Sequence, residues 1–210
     1  MGASRVVNVT GRAAAMMGRV LSTAIQAGIP EHGVRSIEAA LGAAFAVRVA
    51  KLDDDHDPAY LHPGRTVLIL LEDVGVVDAA VLSAAALAET LQPELAAPVP
   101  DDPALDPACA EILEEVPIPD RDGELLLERL VVASDAAQLV ALAERLDHVR
   151  HLHLTDRSRW TQLHAETCDV YLPIAARTDP TLARRLERWC ETFEARFLGA
   201  SDERRPGVRG

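Results

Sequence analysis

Apolar positions along this chain recur at helical rather than alternating spacing, and Gly, Pro and acidic stretches cut them into segments. Val6–Ala27 reads as an amphipathic helix ended by Gly28 and Pro30, after a frayed Met1–Ser4. His32–Leu52 reads as a second helix, with Ile37, Ala40, Leu41, Ala44, Phe45 and Val47 near one face. Asp53–Tyr60 is an acidic loop, read as a solvated turn because the Gly and Glu of a calcium loop are missing. His62-Pro63 opens a third helix carrying Val67, Leu68, Leu70 and Leu71, and Gly75 closes it. Asp78 is placed to cap a fourth helix to Gln92, whose small residues allow close packing and mark it as central.

Pro93–Pro107 carries five prolines and is a loop. Ala108–Glu115 reads as a short helix, Val116–Asp122 as a turn, and Gly123–Ala133 as a helix burying Leu125, Leu126, Leu127, Leu130 and Val131. Ser134 is placed to cap the run Ala136–Leu152, in which Val140, Leu142, Leu146 and Val149 form a buried face. Arg159–Ala176 reads as one helix, a last helix runs from Asp179 to about Leu198, and Ser201–Gly210 is a charged, disordered tail.

Composition supports an all-α chain. Hydrophobic residues make up 49% and aromatics 3%, so the core is built from Ala, Leu and Val. A net charge of −12 excludes a global basic footprint for nucleic acid. The apolar runs are too short for a membrane span or a signal peptide, so a cytoplasmic location is expected. Cys109, Cys168 and Cys190 are odd in number, widely spaced and without a C-x-x-C pair, which points to buried thiols rather than zinc or disulfides.

Glu144 and His148 lie four residues apart on one helix, with Arg145 and Arg150 beside them. Such a pair can share a proton, a metal or a phosphate ligand, or form a solvated, salt-bridged face. His148 and His151 also sit near a helix C-terminus, where the dipole favours the protonated ring.

Three segments together resemble the HD-domain hydrolases of the RelA/SpoT type, which degrade the alarmone ppGpp. Tyr60-Leu61-His62-Pro63 is similar to the family's Y-I-x-H-P, and Ala143-Glu144-Arg145-Leu146-Asp147-His148 to its A-D-R-L-H-N. The run Glu166 to Arg177 is similar to its E-T-L-x-I-Y-x-P-L-A-x-R, with Pro173 inside the helix. The similarity covers roughly Ile37 to Arg177.

The resemblance implies an HD-domain-like helical bundle in a single domain. An N-terminal helix occupies residues 1–34, the degenerate HD region 35–178, a C-terminal helix 179–198 and the tail 199–210. In the family, manganese is held by the His of H-P, an H-D pair and the Asp of A-D-R-L, and activates a water beside an acidic pair. Here His62 is kept, the H-D pair falls on Ala88-Glu89, the acidic pair on Gln92-Pro93, and the last ligand on Glu144. The family Asn falls on His148, and its basic loop on acidic Asp53–Asp57.

These losses imply a scaffold without hydrolase activity and without a cofactor. The alternative is a rebuilt divalent-metal site, Mn2+ or another ion, on His62, Glu89, Glu144 and His148. A third reading is a binding module in which Arg145, Arg150 and Arg177 grip an anionic nucleotide such as a guanine alarmone, or the surface binds a protein or a second copy of the chain.

Overall fold

The computed structural model describes residues 2–51, 58–95, 97–122 and 125–199. The acidic stretch at 53–57, Gly123 and the tail at 201–210 lie outside them. Helix α1 (Gly2–Gln26) and α2 (Glu31–Lys51) lead, with Gly28 between them at φ 83°. Glu31 to Lys51 is one unbroken helix, so α2 runs through the boundary placed at residues 34 and 35. The helical backbone begins at Gly2, four residues before the Val6 start that apolar spacing marks.

A 3-10 turn, Pro58–Leu61, feeds α3 (His62–Leu68), which continues as a wider π-helical turn through Val74. Gly75 ends it at φ 85°, a left-handed conformation that only glycine adopts without strain. Gly75→Ala is therefore expected to cost about 1–2 kcal/mol in chemical denaturation, where an alanine inside a helix would be neutral or better.

Asp78 accepts hydrogen bonds from the Ala80 and Val81 amides and starts α4 (Ala79–Leu87), which tightens into a 3-10 turn at 88–91. Every residue of α4 from Ala80 to Leu87 is buried. A helix apolar on all sides needs partners on all sides, and α2, α3, α5 (Pro107–Glu115) and α8 (Asp135–Arg150) supply them. A Cβ on Gly33 of α2 would stand 2.8 Å from the Ala79 Cβ, so this approach requires glycine.

Val116–Asp122 is not wholly a turn, because Pro119–Asp122 forms a single helical turn, α6. In α7 (Leu126–Val132) only Leu126 and Leu130 are buried. Leu125, Leu127 and Val131 are 56%, 45% and 45% exposed, contrary to the apolar pattern. Leucine and valine occupy more than one face of the segment, so spacing could not select the single i, i+4 face that meets the core.

The helix expected over Arg159–Ala176 is interrupted. A 3-10 turn at Arg157–Arg159 leads into α9 (Trp160–Glu166), a π turn spans Thr167–Tyr171, and α10 (Leu172–Thr178) follows. Pro173 has no amide to give to the preceding turn, and the chain widens just before it, with the Leu172 amide reaching back to the Thr167 carbonyl. Asp179 caps α11 (Pro180–Phe193) with Pro180 in its first turn, and helical backbone continues as a π turn to Leu198.

All regular elements among the described residues are helical. One main apolar cluster extends from Ala13 of α1 to Leu186 of α11, so both terminal helices share the core of the rest. Among the described residues no helix is long and apolar enough to cross a membrane.

Candidate functional site

The first turn of α3 places His62 deep in the bundle, 1% exposed. Its Nδ1 lies 2.7 Å from Asp147 Oδ2, and its Nε2 lies 3.3 Å from Glu144 Oε1. Glu144 and Asp147 stand three residues apart on one face of α8. The turn that ends α4 brings Glu89 from a third direction, with Oε2 3.5 Å from His62 Nε2. Two arginines complete the cluster. Arg48 of α2, buried at 5%, forms an ion pair with the same Glu89 Oε2. Arg65, one turn after His62, grips Asp147 with Nε and Nη2, both at 2.8 Å.

The charges in this cluster nearly cancel. Glu89, Glu144 and Asp147 face Arg48, Arg65 and the His62 ring. Burial alone would raise the Asp147 pKa, but hydrogen bonds from His62 and Arg65, and their charges, hold the carboxyl well below the usual range. Burial likewise works against a charged His62, yet the hydrogen bonds and charges of Asp147 and Glu144 raise its pKa. A protonated His62 makes the count three against three.

His148 behaves differently from the helix-terminus expectation. Its ring centroid is 5.2 Å from that of His62, at the mouth of the cluster. Crowding there and the positive charges of His62, Arg145 and Arg48 push its pKa down, not up. Because the residue is exposed to solvent by area, the three cations are the firmer cause. They outweigh the modest attraction of the α8 C-terminus.

A cavity of about 280 Å³ opens over this cluster, lined in part by His62, Arg65, Glu89, Asp147, His148 and His151. A second, of about 580 Å³, adjoins it and shares Glu89 and His148. The larger is in the size range of small-molecule sites. Its charged lining is mixed: Arg48, Arg145 and Arg159 stand against Glu89, Glu94 and Asp156.

Of the residues singled out from sequence, His62, Glu89 and Glu144 meet at one point, and His148 stands beside them. Arg145 borders the larger cavity but is committed to the frame. Its Nε donates to Thr167 Oγ1 and its Nη2 to the Leu163 carbonyl, each at 2.8 Å, and it pairs with Glu166 and lies over Tyr171. Arg150 does not line either cavity and feels Arg185 and Asp73 instead. Arg177 is on the surface, donating to the Val131 carbonyl.

Arg48, Arg65 and Asp147 belong to the site as well, beyond the residues that the sequence singles out. Helical spacing contained a signal for two of them, since Arg65 is three residues after His62 and Asp147 three after Glu144. Arg48 sits on an otherwise apolar face and gives no local sign of its partner.

Manganese does not fit this donor set. The Glu89 oxygen that faces His62 is the one bound to Arg48, and a guanidinium fixed at that oxygen repels a second cation. With Arg48 and Arg65 paired to Glu89 and Asp147, the three carboxylates carry little net negative charge to attract a divalent ion. No protein-family model matches the chain, and a search of curated proteins finds no match.

Proposed function

We propose that this protein is a catalytically silent scaffold resembling the HD domain of alarmone hydrolases, with the side chain of Arg48 standing where the metal's charge would be. The single observation that carries this reading is the buried Arg48–Glu89 pair beside His62. Convergence of His62, Glu89 and Glu144 from three separate segments supports the ancestry, because these are the positions onto which the family's ligands fall. The H-D histidine is replaced by Ala88, buried at 1%, and the acidic pair by Gln92-Pro93.

The role left to such a scaffold is binding. The balanced charges of the larger cavity suit a neutral or zwitterionic small molecule better than a nucleotide bearing four phosphates. Two of its three arginines, Arg48 and Arg145, are also held in protein contacts.

Incubation with ppGpp and Mn2+ is expected to release no pyrophosphate, and neither ppGpp nor Mn2+ is expected to raise the melting temperature. Pyrophosphate release that disappears in His62→Ala would overturn the proposal.

A further inference from the structure

His164 and Cys168 stand four residues apart where α9 passes into its π turn, and project from one side. Cys190 reaches them from α11. Each of the three places a ligand atom within 4.8 Å of the others. Cys168 Sγ lies 3.6 Å from His164 Nε2 and 4.0 Å from Nδ1. We propose that His164, Cys168 and Cys190 form a zinc site, a site of borderline-soft character that shares no residue with the Arg48–His62 cluster.

The geometry is close to what zinc needs. Zn–S bonds of about 2.3 Å and Zn–N bonds of about 2.0 Å in a tetrahedron set the ligand edges at roughly 3.5 Å for S···N and 3.8 Å for S···S. Both observed S···N separations lie somewhat beyond that edge, and the Nδ1 distance of 4.0 Å closes to it with small side-chain movements. The imidazole is also oriented: Nε2 lies 3.0 Å from the Cys190 carbonyl, to which an Nε2–H donates. That bond leaves Nδ1 with its lone pair free for a metal, and a backbone carbonyl on the second ring nitrogen is the usual support of a ligating histidine.

The surroundings favour a fixed site. His164 stacks at 6.1 Å on Phe193 and lies 5.6 Å from Trp189, so one side of the cluster is walled by rings. His164 and Cys168 are half-buried and Cys190 is buried, so the fourth position opens toward solvent and takes a water. Thiolate ligands select zinc over the hard cations. Cysteines 22 residues apart, on two helices, carry no local zinc signature, which is why spacing alone assigned them to the core.

The full chain, reduced and freed of metal, is titrated with zinc against a fluorescent zinc chelator, and separately with Co2+. One zinc per chain is expected, with a thiolate-to-cobalt charge-transfer band in the near ultraviolet and a higher melting temperature on loading. Cys168→Ser, at a half-buried position, keeps the fold by circular dichroism, abolishes the charge-transfer band or reduces it by half, and weakens zinc at least tenfold. Cys109→Ser, on α5, leaves zinc affinity unchanged. Substoichiometric zinc on the reduced chain, zinc affinity indifferent to Cys168→Ser, or an intramolecular Cys168–Cys190 disulfide as the only state obtained would each overturn the site.

Discussion

Arg48→Met is expected to destabilise the protein by about 3–5 kcal/mol, the usual cost of leaving one member of a buried ion pair without its partner. For a chain of this size that is a fall of roughly 10 °C in melting temperature. Methionine keeps most of the arginine's apolar stem, so the loss reports the charge more than the packing. Glu89, 6% exposed, would then face Glu144 with only His62 between them. The companion variant Arg48→Met/Glu89→Met is expected to recover most of the loss, because an apolar pair of similar volume avoids the desolvation of both ions. Arg48→Met alone is also expected to gain what the parent lacks, a rise in melting temperature with millimolar Mn2+. A single variant that loses less than about 1 kcal/mol, or a parent that responds to Mn2+ as strongly as the variant, removes the guanidinium from the account.

The second large effect belongs to Asp147→Ala. It strips the carboxylate from both a buried His62 and a half-buried Arg65, and is expected to cost about 3–5 kcal/mol near pH 6. The pH dependence follows from two opposite shifts. A carboxyl held below its unfolded pKa contributes stability above that value and loses it as pH falls through the folded pKa. A histidine held above its unfolded pKa contributes fully below that value, and the contribution is lost as pH rises through the folded pKa. With unfolded values near 4 and 6.5, the gap between parent and variant should be widest from about pH 4 to 6.5. It narrows below pH 4, where the unfolded chain takes up a proton that folded Asp147 does not, and narrows above 6.5 toward the share held by Arg65 alone. Urea denaturation of both proteins across pH 3–9 checks this. A gap that does not change from pH 4 to 8 would mean that His62 plays no part in it.

Much of the framework was written locally in the chain. Asp78, Ser134 and Asp179 each cap the helix that follows them, as their side chains and positions indicate, and Gly75 turns the chain as expected. The small-residue run of α4 announced a central helix and is one. What periodicity could not supply was the choice among equivalent faces: Leu127 and Val131 of α7, and Leu125 just before it, are exposed although it marks them as core. The π turn before Pro173 was hidden because a widened turn keeps the apolar spacing of an ordinary helix over so short a stretch.

The candidate site divides in the same way. Glu144 stood out because its partner positions lie on the same helix. Asp147 lies on that face too, and it is Asp147 rather than His148 that holds His62. Arg48 and Glu89 are 41 positions apart, and the Cys168–Cys190 pair spans two helices, so neither could be read from spacing.

Enclosing α4 on every side also shapes how the molecule comes apart. An element with no face toward water has no low-energy way to peel from its neighbours, and its partners include α2 before it and α8 well after it in the chain. The tips of the terminal helices can fray, but the core they share departs only in one concerted opening, and Ala80–Leu87 is expected to be the slowest part of the protein to meet solvent.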